Sequence, residues 1–136
     1  METMMASVEY VGGLRTKATH LRSGNAITTD APVDNNGKGE AFSPTDLVSA
    51  ALSSCMMTIM GIVAEREGVN LTGLKSEIIK VMTNSPRKIA EIKIHFTHSG
   101  LVATEEQKQK LKNAARTCPV ALSLSAELKQ TISFEF

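Results

Sequence analysis

Between Pro44 and Glu67 the chain carries a helical pattern whose apolar residues are not confined to one side, and no other segment limits the fold as much. Leu47, Val48, Ala51, Leu52, Cys55, Met56, Ile59, Met60 and Ile62 cover nearly the whole circumference, whereas a surface helix keeps its apolar residues to one stripe. Ser43-Pro44-Thr45-Asp46 supplies a start, because Ser accepts from an orphan amide, Pro suits the first helical position and an acid suits the first turn. Gly68 supplies the stop. Roughly 24 residues at 1.5 Å each span about 36 Å. The expectation is a central helix buried on most sides.

A chain of 136 residues, 42% apolar and 21% charged, is long enough for one compact domain built around such a helix and too short for two. We therefore read residues 1–136 as a single domain. Fifteen basic against fourteen acidic residues leave a formal charge of +1, so no strong field is available for a nucleic-acid backbone or an anionic membrane surface. With no Trp, one Tyr and four Phe, the chain also lacks an aromatic stacking platform for single strands. Met1 to Ala6 lacks the charged and then apolar sections of a secretory signal, and no uninterrupted apolar stretch reaches the eighteen-odd residues of a membrane span. The expected location is the cytoplasm, with neither nucleic acid nor membrane as a partner.

The elements around the helix follow from local pattern. Ser7 to about Asp30 reads as short strands broken at Gly12-Gly13 and Ser23-Gly24-Asn25, an antiparallel meander. Asp34 to Gly39 is a loop rich in residues that tolerate left-handed backbone. Leu71–Met82 and Lys88–His98 read as two strands joined at Thr83–Arg87, with Ile92, Ile94 and Phe96 alternating against Lys93, His95 and Thr97. Thr104-Glu105-Glu106-Gln107 has capping-box spacing and opens a helix to about Thr117. A short turn of helix from Pro119 to Leu124 and a last strand from Leu128 to Phe136 complete an α+β order rather than a regular βαβ one.

Few residues in this order can carry chemistry. Cys55 and Cys118 are the only cysteines, too few for a disulfide framework, so a pair acting together in a reducing compartment points to redox chemistry. Buried cysteines also serve as small apolar filling. A reactive Cys55 has to be a thiolate, while a free thiol titrates near 8.5. Cys55 lies in the fourth turn of the helix, and the helix dipole fades within the first, so a separate cation is required. Arg15 and Arg22, in neighbouring strands, and Arg116, near the other cysteine, are the candidates. His95 and His98 are three apart in a strand and point to opposite faces, and His20 is isolated, which speaks against zinc. Ser53 and Ser54 lack a nucleophile elbow, and Gly37-Lys38-Gly39 lacks the spacing of a phosphate loop.

Gly39-Glu40-Ala41-Phe42-Ser43-Pro44-Thr45-Asp46-Leu47, then Ala50-Ala51-Leu52-Ser53-Ser54-Cys55, and Ala115-Arg116-Thr117-Cys118-Pro119-Val120 further on resemble the OsmC/Ohr family over nearly the whole chain. The resemblance implies an OsmC-like fold of antiparallel sheets with a long buried central helix, assembled as an intertwined homodimer with two active sites between subunits. It implies a cofactor-free Cys-based peroxidase that reduces organic hydroperoxides and is regenerated by a dithiol reductant. In that frame Cys55 is the peroxidatic cysteine, Cys118 the resolving one and Arg15 the stabilising cation, with Arg22 second. Phe42, Leu52 and Met56 would form the apolar substrate surround. One position departs from the family: ten residues ahead of Cys55, where its peroxidases usually carry a Glu, stands Thr45. Asp46 is the nearest acid and the catalytic candidate, although about 13 Å of helical rise separates it from Cys55 of its own chain, and Glu40 is the other. A different class of function follows from the same departure and the Met-rich helix: a redox-responsive or small-molecule-binding dimer without useful turnover.

Overall fold

The computed structural model describes residues 2–136. The chain divides into two compact units, Met1–Val48 and Ser49–Phe136.

The first unit is a three-stranded antiparallel sheet of β1 (Ala6–Gly12), β2 (Arg15–His20) and β3 (Ala26–Asp30) in that spatial order. Gly12, Gly13 and Leu14 all take positive φ in the β1–β2 turn. Leu14 is held there by the Tyr10 hydroxyl, which accepts from its amide, and by its own carbonyl, which accepts from the Ala31 amide. Beyond β3 the polar run is a loop, as its composition predicts, with one short helical turn at Val33–Asn35. Gly37 is required in it: a Cβ there would stand 1.7 Å from the Ala31 carbonyl oxygen. The sheet leaves Val8, Tyr10 and Ile27 exposed. Strand register puts these three residues on one face with Ala18.

Helix α1 runs Pro44–Glu67, as the start and stop signals predict, and its larger part opens the second unit. There β4 (Lys75–Thr83), β5 (Lys88–Thr97) and β6 (Lys129–Glu135) form a sheet in the order β4-β5-β6, and α2 (Glu105–Ala115) and α3 (Pro119–Ser123) lie between β5 and β6 in sequence. The expectation of antiparallel sheets needs one correction, since β6 pairs parallel to β5. The two-helix crossover carries the chain back to the same end of the sheet, which a tight turn could not do. The first of the paired strands begins at Lys75 rather than Leu71, the preceding residues being turn.

The core of this unit is a ridge of Leu52, Met56, Met60 and Ala64 along α1, set among Ile92, Ile94 and Phe96 of β5 and Leu111 and Ala115 of α2. The four-residue spacing of the ridge and the two-residue spacing on β5 are the periods of helix and strand. Phe134 stacks on Phe96 with ring centroids 5.5 Å apart, and Ser53 satisfies its buried hydroxyl on Ser76 at 2.7 Å.

One expectation for α1 is corrected. Within one chain it is buried along one side only, since Ala51, Ser54, Thr58 and Ile62 are exposed. By length and composition it also meets the requirements of a membrane-crossing helix, because Leu47 to Ala64 carries no charge and the interspersed Ser, Thr and Gly weigh little against the aliphatic residues. Its buried side is nevertheless committed to the core just described.

Replacing Met60, which has no exposed surface, by Ala is expected to lower unfolding free energy by about 2–5 kcal/mol. Ile79→Ala, at a position 60% exposed, is expected to cost under about 1 kcal/mol. Urea denaturation of both variants checks the assignment of the core.

Candidate active site

Cys55 lies on α1 beside the core ridge, half-buried, and packs against the buried cluster. Cys118 has no exposed surface and caps the N-terminus of α3, with Pro119 in the first helical position. Its Sγ accepts from the Ala121 amide at 3.3 Å. The two side chains are within interaction range of each other, and both are free thiols. Burial is the largest effect on Cys118 and pushes its thiol above the usual range; the neighbouring Cys55 adds to this, while the Ala121 and Val120 amides oppose it. The second unit therefore holds a partly exposed cysteine near an enclosed one.

The first unit holds a separate charged cluster. Arg15 and Asp30 are directly opposite in the β2–β3 register. Asp30 Oδ2 accepts from Arg15 Nη2 at 3.2 Å and from the Glu40 amide at 2.9 Å, and Glu40 Oε2 takes the same Arg15 nitrogen at 2.7 Å. The Asp30 amide donates to the Phe42 carbonyl, which ties the Glu40–Phe42 segment to the end of β3. The Asp30 side chain is fully buried, yet Oδ1 has no hydrogen-bond partner. The Glu40 amide, opposed by burial and assisted by Arg15, holds the Asp30 carboxyl below its ordinary range, while Glu40 and then Asp30 raise the Arg15 guanidinium further.

The other expected site residues fall as follows. Arg22 is in the turn after β2, not in a strand, and is exposed. Arg116 caps the C-terminus of α2 with its guanidinium 5.7 Å from the Phe134 ring centroid. Asp46 Oδ2 accepts from the Ser43 amide and Ser43 Oγ accepts from the Asp46 amide, a reciprocal cap at the start of α1. Of the two acids considered for the Thr45 slot, it is Glu40 that stands at Arg15. Phe42 is 58% exposed and lines a shallow cavity of about 500 Å³ with Ile27, Thr28, Glu40 and Asp46. Leu52 and Met56 are fully enclosed core residues. His98 lies past the end of β5, so the argument from opposite strand faces fails for it; its Nε2 bonds the Thr72 carbonyl, and His95 Nδ1 bonds Ser133. No three His, Cys, Asp or Glu residues among the described ones are grouped to hold a metal.

Asp30 was missed by sequence reasoning. The signal available was an acid at a strand end, placed by meander pairing opposite the candidate arginine.

Fold and site together define a small α+β protein with one cysteine on its long helix and the other at the start of α3, in the crossover between β5 and β6. The family profile described as OsmC-like protein matches residues 37–133, and the chain belongs to that family. A Psychrobacter arcticus 273-4 crystal structure, provisionally named an osmotic stress induced and detoxification response protein, is 43% identical over 99% of this chain and 98% of its own, with a TM-score of 0.94. Two more distant structures share the fold. An organic hydroperoxide resistance protein OsmC from Legionella pneumophila is 17% identical with full coverage of both chains and a TM-score of 0.72. An organic hydroperoxide resistance protein from Elizabethkingia anophelis is 18% identical over 99% of each chain, with a TM-score of 0.67. Among curated proteins none shows significant similarity.

Two outcomes are expected from these environments. At neutral pH iodoacetamide should label Cys55 of the folded, reduced protein and spare Cys118 until unfolding, as read by peptide mass spectrometry; equal labelling of both would contradict the enclosure of Cys118. Because the folded Asp30 carboxyl titrates below its unfolded value of about 3.9, its contribution to stability is complete above that pH and is lost as pH falls through the lower folded value. Asp30→Asn should therefore flatten the acid limb of the stability curve, followed by chemical denaturation between pH 5 and 2.

Proposed function

We propose that residues 1–136 act as one OsmC-like domain with thiol-dependent hydroperoxide reductase activity toward organic hydroperoxides, working as a cytoplasmic homodimer in oxidative-stress defence without a cofactor. The observation that carries this reading is the pairing of a partly exposed Cys55 with a buried Cys118. An incoming peroxide can reach the first sulfur, while the second is held beside it and kept from solvent.

In the proposed reaction the Cys55 thiolate attacks the terminal oxygen of the hydroperoxide. The O–O bond breaks, that oxygen stays on sulfur as a sulfenic acid, and the departing alkoxide takes a proton to leave as alcohol. Cys118 then attacks the sulfenic sulfur. A disulfide forms, and the hydroxyl leaves with the thiol proton as water. The Ala121 amide, already donating to Cys118 Sγ, stabilises negative charge as it develops on that sulfur. A dithiol reductant returns both thiols by exchange through a mixed disulfide. Arg15 is assigned as the cation that favours the Cys55 thiolate, with Glu40 rather than Asp46 as its acidic partner. Of the expected apolar surround, Phe42 is the exposed residue that can meet a hydrophobic peroxide, whereas Leu52 and Met56 belong to the enclosed core.

The homodimer is supported by the exposed residues of α1, including Ile62 at 42%, and by the exposed sheet residues Val8, Tyr10 and Ile27. Val8, Tyr10, Ile27 and Ile62 are apolar side chains that a partner would cover.

One observation favours a second reading. Arg15 is met by two carboxylates, so its charge is more than offset within its own cluster, as suits a redox-responsive or ligand-binding dimer that does not turn over. Multiple turnover decides between them. With a dithiol reductant in excess, the wild-type protein is expected to consume many equivalents of cumene hydroperoxide, and Cys55→Ser none; consumption that stops at one equivalent supports the second reading. Sedimentation at micromolar concentration is expected to give a dimer, and a stable monomer contradicts the assembly.

A further inference from the structure

We infer that Asp30 is a positioning residue for the proposed reaction: by gripping both Arg15 and the backbone of the Glu40 segment, it fixes where the guanidinium is presented. This rests on the assignment of Arg15 as the cation for Cys55.

Three observations carry it. The first is the asymmetry of the two carboxylates on Arg15 Nη2. Asp30 is fully enclosed, whereas the Glu40 side chain is 61% exposed. An exposed ion pair gains little and exchanges with solvent and salt, while an enclosed carboxylate has no water to turn to and holds its donors in place. Glu40 adds charge; Asp30 sets location.

The second is the use of one oxygen for two donors. Oδ2 receives both the Arg15 guanidinium and the Glu40 amide, so the side chain from β2 and the segment after the loop are referred to a single atom. Oδ1 is buried without a partner. Both carboxylates take Nη2, so the clamp does not use the Nε and Nη1 donors.

The third is the backbone next to the arginine. Leu14, immediately before Arg15, has φ 62°, a left-handed conformation costly for a branched residue and persisting only where its surroundings impose it. The Tyr10 hydroxyl and the Ala31 amide impose it on one side, and Asp30, the residue before Ala31, grips the side chain on the other. Arg15 is thus fixed at both backbone and head group.

A charge effect and a positioning effect have opposite signs at Cys55, which makes them separable. Removing a carboxylate beside Arg15 leaves its positive charge less offset and favours a thiolate; losing the position of Arg15 disfavours it. The experiment measures the pH dependence of Cys55 alkylation, together with kcat/KM for cumene hydroperoxide, in the full chain and in Glu40→Gln, Asp30→Asn, Asp30→Glu, Arg15→Gln and the Arg15→Gln/Asp30→Asn double variant. Glu40→Gln is expected to move the alkylation midpoint to lower pH. Asp30→Asn is expected to move it to higher pH and to cut kcat/KM about ten- to a hundredfold, the scale set by misplacing a reacting group by about 1 Å. Asp30→Glu, which keeps the charge but moves it by one methylene, is expected to fail in the same direction and keeps the test open if Asp30→Asn does not fold. In the Arg15→Gln background Asp30→Asn is expected to add nothing.

Asp30→Asn matching Glu40→Gln, or Asp30→Glu matching wild type, overturns the positioning role and leaves the peroxidase reading standing. An equal loss with and without Arg15 marks a general folding effect and overturns it too. If Arg15→Gln alone changes neither the midpoint nor turnover, it is the assignment of Arg15 that fails, and the role of Asp30 with it.

Discussion

The placement of the cysteines depends on the burial of the α1 ridge. Leu52, Met56, Met60 and Ala64 recur every four residues and are enclosed by β5 and α2, and this contact sets the rotation of the helix about its axis. Cys55 adjoins Met56 in sequence but lies about 100° from it around the helix, which leaves its sulfur at the margin of the core rather than within it. The same core receives Ala115 and Cys118 at the end of α2. One packing arrangement therefore produces both the accessible thiol and the enclosed one.

Electrostatics supplies what packing cannot. Burial beside apolar side chains raises thiol pKa values, as the environment of Cys118 illustrates, and the dipole of α1 has faded by the position of Cys55. A thiolate at Cys55 needs a fixed positive group. Within the first unit Arg15 is such a group: it is paired in register with Asp30, preceded by a constrained Leu14 and joined by Glu40. The proposed chemistry asks this guanidinium to act outward on a sulfur while an enclosed and an exposed carboxylate hold it.

Much of this was legible in the sequence because its signals are local. Ser43-Pro44 and Gly68 bound α1 at the residues where the helix starts and stops, and Thr104 with Gln107 forms the reciprocal cap that its spacing implies. Alternation located Ile92, Ile94 and Phe96 on the buried face of β5. The need for a thiolate and a cation points to the two cysteines and to Arg15, Arg22 and Arg116, and the family resemblance selects Arg15 among the three and assigns the roles. What escaped was set by distant pairing. The parallel match of β6 to β5 follows from the length of the crossover, which no turn motif announces. Asp30 became visible only once β2 and β3 were in register, and Asp46, an acid near the helix start, went to the local task of capping. The all-round apolar pattern of α1 overstated its burial in a single chain, since pattern records what a surface could cover and not which molecule covers it.

The central claim is that Cys55 and Cys118 work as one redox pair. It is tested most directly by counting free thiols per chain, under denaturing quench, within seconds of adding one equivalent of an organic hydroperoxide to the reduced protein. The account predicts that both thiols disappear together and return with a dithiol reductant. Survival of both thiols would contradict it, because an accessible sulfur beside an enclosed partner would then be present without the activation that the proposed reaction requires.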